Sequence, residues 1–95
     1  MIIGSIIQQP SDRIDYDIDC NEFLGVDGDY ITEVTTTVEP LGLIAVSLLT
    51  SGTPKATKVW IEGGEADVDY KVEVTITTEF GRTKQEELLV FVKEF

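Results

Sequence analysis

The chain has 95 residues, enough for one domain with a single modest core. Eighteen Asp and Glu against seven Lys and Arg give a net charge of −11, which leaves no basic counter-surface for a nucleic-acid backbone or an anionic membrane. Histidine is absent and Cys20 is the sole cysteine, so histidine-based acid–base and nucleophile chemistry, an internal disulfide and a cysteine zinc site are all removed.

The first segment, residues 1–11, reads as an apolar arm. It has no basic stretch ahead of its isoleucines, so it is taken as mature chain and not as a secretory signal. Ile2, Ile3, Ile6 and Ile7 are too many apolar side chains for a free tail. Two placements follow: an extra strand on its own domain, or strand addition to a neighbouring chain, which would make the arm an assembly device.

Residues 12–95 read as the folded domain. Arg13–Asp19 sets Ile14, Tyr16 and Ile18 against Asp15, Asp17 and Asp19, the alternation of a half-buried strand. The three aspartates read as the solvent face of an edge strand, where charge discourages edge-to-edge pairing. With Asp27 and Asp29 they also invite a calcium reading. An EF-hand loop needs Gly at its sixth position and Glu at its twelfth; counted from Asp15, those positions hold Cys20 and Val26, so that loop is excluded. A calcium site of another kind between loops, neutralising the clustered carboxylates, stays as the alternative to a plain solvent face, and no metal ligand set is assigned. Cys20 has no neighbouring base to activate it and reads as a small, partly buried thiol.

Ile31–Val38 is a Thr- and Val-rich strand ended by Pro40 and Gly42. Leu43–Leu49 is almost wholly apolar, which predicts a strand covered on both faces. The Ser51-Gly52-Thr53-Pro54 break precedes a strand over Thr57–Glu62, and Gly63-Gly64 ends it; this is no phosphate loop, since neither a helix nor a Lys-Ser or Lys-Thr pair follows. Asp67-Val-Asp-Tyr70 then leads into the clearest strand, with Tyr70, Val72, Val74 and Ile76 on one face. A tyrosine at the start of a penultimate strand is the corner tyrosine of an immunoglobulin-like sandwich, its hydroxyl bonded back to nearby backbone. Phe80-Gly81-Arg82 turns the chain into Lys84–Lys93, whose Leu88, Val90 and Val92 should point inward. The expected fold is all-β, an immunoglobulin-like antiparallel β-sandwich of about seven strands.

The same alternation sends Trp60, Leu89 and Phe91 outward, where they would form an exposed apolar patch of the kind that marks an interaction site. A flipped strand register, or cover from the N-terminal arm, would account for them instead. Paired carboxylates for glycoside hydrolysis would need a cleft with one carboxyl raised in pKa. A core this small is committed to stability and these acids face water, so catalysis is not expected.

Five segments stand in a recognisable order: Ile14-Asp-Tyr-Asp-Ile-Asp19 with Phe23-Leu24, Val38-Glu-Pro-Leu-Gly-Leu43, Lys58-Val-Trp-Ile-Glu-Gly-Gly64, Tyr70 to Thr78, and Gly81-Arg-Thr-Lys-Gln-Glu86. In these the chain resembles the phage fiber–tail adaptor proteins, small immunoglobulin-like virion proteins of tailed bacteriophages. The resemblance implies a non-enzymatic structural protein, without cofactors, made in the bacterial cytoplasm and carried in the virion at the tail. It implies attachment of tail fibers to the tail through protein–protein contacts, with fiber proteins and tail or head–tail connector proteins as partners and several copies per particle. Cys20 departs from the bulky apolar residue expected there, and the isoleucine arm is particular to this chain. No site residues are carried over from the family; Ile2, Ile3, Ile6, Ile7, Trp60, Leu89 and Phe91 are candidates from the pattern alone. The alternative is an immunoglobulin-like carbohydrate- or protein-binding module of a bacterial surface or secreted assembly. A sugar site needs aromatic side chains free to stack, and several of the eight present are expected in the core.

Overall fold

Strand β6 (Asp69–Thr78) shows how the pattern becomes structure. In the computed structural model, Val72, Val74 and Ile76 are fully buried and Tyr70 nearly so, while Lys71, Glu73, Thr75 and Thr77 line the opposite face at intermediate exposure. Each buried Val or Ile contributes roughly 1.5–3 kcal/mol relative to leaving it in water. The structure describes residues 2–25, 27–50 and 52–94, with residues 2 and 3 through their backbone alone.

The remaining strands are β1 (Ile2–Gln8), β2 (Arg13–Asp19), β3 (Ile31–Glu39), β4 (Leu43–Leu48), β5 (Ala56–Gly63) and β7 (Thr83–Val92). They form two sheets, β1-β7-β6-β3 and β2-β5-β4, packed face to face as an immunoglobulin-like sandwich. The core between them holds Ile18, Leu24, Ile31, Leu43, Val59, Ile61, Leu88, Val90 and Val92 beside the β6 residues. Tyr70 and Val90 face one another across the β6–β7 pair, as do Val72 and Leu88, so the inward face of β7 is the expected one.

Tyr70 closes the corner: its hydroxyl accepts the Glu65 backbone N–H at 2.9 Å. Gly64 beneath it has φ +96°, and a Cβ there would meet Val92 Cγ2 at 2.7 Å and Leu43 Cδ1 at 3.1 Å. Glycine therefore serves both the backbone angle and the close packing at this corner.

Three details depart from the sequence expectation. The sheets are not wholly antiparallel, because β1 runs parallel to β7 with Ile6 opposite Val90 and Ile7 opposite Phe91. The arm is thus laid on its own chain, and Lys93 N–H bonds the Gln8 carbonyl at the end of the pairing. A four-residue helix, α1 (Asn21–Leu24), follows β2 where none was expected, and it buries Leu24. Strand β4 is also not covered on both faces. Its inward positions are Leu43, Ala45 and Ser47, whereas Ile44, Val46 and Leu48 are 56%, 49% and 51% exposed. β4 is an edge strand whose inner side meets β3: the Thr36 hydroxyl donates to the Ala45 carbonyl at 3.0 Å and the Ser47 hydroxyl to the Val34 carbonyl at 3.2 Å. Small residues fit that close contact, and the large ones are left on the outside.

Candidate functional site

The sandwich has two outer faces, and apolar side chains lie on both. On the four-stranded face, Ile7 of β1 stands beside Phe91 of β7, and Ser5 beside Leu89. Ile7 is 63% exposed, while Leu89 and Phe91 are half-buried. Beyond β7 the same rows continue to Asp69 and Lys71 of β6. Ile6 points the other way and packs against the core. The side chains of Ile2 and Ile3 lie outside the described residues.

The three-stranded outer face is ordered in rows: Ile44–Glu62–Arg13, Val46–Trp60–Asp15 and Leu48–Lys58–Asp17, read from β4 across β5 to β2. Its β4 edge is apolar, its β2 edge mostly acidic, and Trp60 sits at the centre. The Arg13 guanidinium lies over the indole, 4.3 Å from the ring centroid, and its Nε is 3.3 Å from Glu62. Cation–π attraction of this kind holds the guanidinium against the face of the half-exposed indole. Lys58 Nζ reaches Asp15 at 2.6 Å and Asp17 at 3.5 Å. The hydrogen bond from Lys58 holds the Asp15 carboxyl below the usual carboxylate range, and the same bond raises the Lys58 ammonium. Asp19 is occupied locally, accepting the Asn21 backbone N–H at 2.9 Å and its side-chain amide at 2.7 Å.

Where β4 leaves the sheet, the apolar stripe runs into an open cleft of about 560 Å³. Leu48, Leu49, Thr57, Lys55, Lys58 and Asp17 are among the residues that line it. Lys55 donates to the Asp29 carbonyl, which ties the cleft to the β2–β3 connection.

Trp60 and the pair Leu89/Phe91, expected to form one patch, thus lie on opposite faces of the sandwich. Leu89 and Phe91 share a surface with Ile7; Trp60 shares one with Ile44, Val46 and Leu48. The sequence reading missed those three because a run of apolar residues reads as doubly buried. The signal that would have separated them is size: Ala45 and Ser47 alternate with Ile44, Val46 and Leu48, which marks the small side as the one in close contact.

The aspartates read as calcium candidates are divided between different tasks. Asp29 is fully buried at one end of the sandwich. It accepts the backbone N–H groups of Tyr30 at 2.9 Å and Phe80 at 3.0 Å, and pairs with Arg82 at 2.9 Å. Arg82 in turn donates to the Phe23 and Leu24 carbonyls at the end of α1. Burial pushes the Asp29 carboxyl up, but hydrogen bonds from the Thr78 hydroxyl and the two amides, with the Arg82 charge, leave it below the ordinary value. Among the described residues no three His, Cys, Asp or Glu side chains are placed to hold a metal ion together. Cys20 is buried, and burial, with Asp19 and Glu86 nearby, pushes its thiol up and away from nucleophile chemistry.

Residues 8–91 match the family model described as the podophage GP4 fiber-tail adaptor protein gp77. The match spans most of the chain, from the end of β1 to the end of β7, and the chain belongs to this family. No individual curated protein matches it.

Proposed function

We propose that this member of the fiber-tail adaptor family is a non-enzymatic structural part of a tailed-phage virion, where it attaches fibers to the tail through protein–protein contacts. Its partners are the fiber proteins and the tail or head–tail connector proteins, and neither nucleic acid nor membrane is among them. Family membership carries the reading. The geometry supports it: a bridging part must hold two neighbours, and this sandwich carries apolar side chains on opposite faces. Ile7, Leu89 and Phe91 serve one contact; Trp60 serves the other. Ile6 anchors the arm to the sheet. The chain is made in the bacterial cytoplasm and assembles there in several copies per particle.

Quantitative mass spectrometry of purified particles tests this. The expected result is the chain at a fixed copy number that is a small multiple of the tail symmetry. Its absence from particles that do contain fiber and tail proteins would reject the reading.

A further inference from the structure

We infer that the β2-β5-β4 outer face is the docking surface for a partner of split chemistry. Its occupant is a different protein, which seats apolar side chains along Ile44, Val46, Leu48 and Trp60 and lays Lys or Arg residues along the acidic β2 strand. The inference rests on the adaptor reading and specifies one of its two contacts.

Four observations converge on it. The exposed apolar residues of β4 are consecutive outward positions of one strand, so they form a continuous stripe and not scattered surface residues. Their half-exposure is not required by the fold, whose contact with β3 is made by the inward Ala45 and Ser47. The stripe meets Trp60 on one side and the open cleft on the other, which gives a central aromatic and a cavity for an inserted side chain, the arrangement in which binding energy concentrates. The charge across the face then selects the occupant. Lys58 offsets only part of the Asp15 and Asp17 charge and Arg13 is shared with Glu62, so the β2 edge stays acidic in a chain of net charge −11.

That charge argues against a second copy. A two-fold axis in the plane of the face, parallel to the strands, would lay the acidic β2 of each copy over the apolar β4 of the other. An axis perpendicular to the strands would lay β2 over β2, carboxylate against carboxylate. A partner with apolar residues on one side and basic residues on the other satisfies both edges at once, and the complementary charges fix its orientation.

The test uses complete particles. A photo-crosslinking amino acid is placed at position 46, 35 or 91 of the chain supplied during assembly, and adducts are identified by mass spectrometry. Position 35 lies on β3, on the other sheet, and serves as the comparison. The inference expects an adduct from position 46 to a different virion protein, at a site flanked by Lys or Arg, with none from position 35. In parallel, V46D combined with L48D should lower the copy number per particle about tenfold, while thermal unfolding of the purified double variant stays close to that of the parent. A chain present at normal copy number with adducts from position 91 alone, or from position 46 only to another copy of itself, overturns the inference and leaves the adaptor reading standing. A chain absent from particles rejects both. If the double variant assembles normally, the stripe is not the docking surface.

Discussion

Strands β6 and β4 both alternate along their length, yet they assign their large side chains to opposite sides of the molecule. β6 lies between β7 and β3, so its Tyr70, Val72, Val74 and Ile76 face the other sheet and vanish from solvent. β4 lies at an edge where the two sheets nearly touch. Its inward positions are small and hydrogen-bonded across to β3, and its large positions are outside. Alternation therefore defines two faces without saying which is buried. In β6 chemistry decides, since the other face carries Lys and Glu; in β4 both faces are largely apolar and position in the sheet decides.

That contrast can be tested by truncation. Ile76→Ala removes a side chain with no exposed surface and should cost about 3–4 kcal/mol, as for other Ile truncations in a packed core, read from the shift in the urea midpoint. A loss below about 1 kcal/mol would mean that the centre of β6 is looser than its packing implies.

The second test concerns the end of the sandwich, where a charge is buried in place of an apolar group. The folded Asp29 carboxyl lies below its ordinary value, so its contribution to stability is present above the unfolded pKa of about 4 and is lost as pH falls through the folded value. Asp29→Asn removes the partner of Arg82. It should lower stability at neutral pH and flatten the acid limb of the stability–pH curve below about pH 4. An acid limb identical to that of the parent would show that other carboxylates govern acid unfolding.

The smallest effect is expected in β4. Val46→Ala shortens a half-exposed side chain and should change stability by less than about 0.5 kcal/mol in the same denaturant assay. A loss as large as that at Ile76 would make the outer stripe part of the folding core and remove the contrast.

Much of this molecule was legible in its residues. The strand at Tyr70–Thr78, its hairpin partner, the alternation at Arg13–Asp19 and the tyrosine corner each follow from local chemistry: side-chain polarity at a period of two, and a glycine pair ahead of a tyrosine. The outward direction of Trp60, Leu89 and Phe91 was legible for the same reason. What the residues could not supply was which outward positions share a surface. Trp60 belongs to β5 and Leu89 and Phe91 to β7, and these strands went to different sheets. The stripe at Ile44, Val46 and Leu48 and the role of Asp29 were hidden as well, because each depends on a distant neighbour: β3 against the inner side of β4, and Arg82 from the β6–β7 turn.

The sequence by itself determined the inward faces of β2, β6 and β7, the corner and the excess of negative charge, because those depend on residues a few positions apart. The tertiary structure alone decided the parallel seat of the arm on β7, the assignment of strands to sheets, and the pairing of an apolar edge with an acidic one across Trp60. Sheet order is set by the packing of the whole core, and no local window contains it.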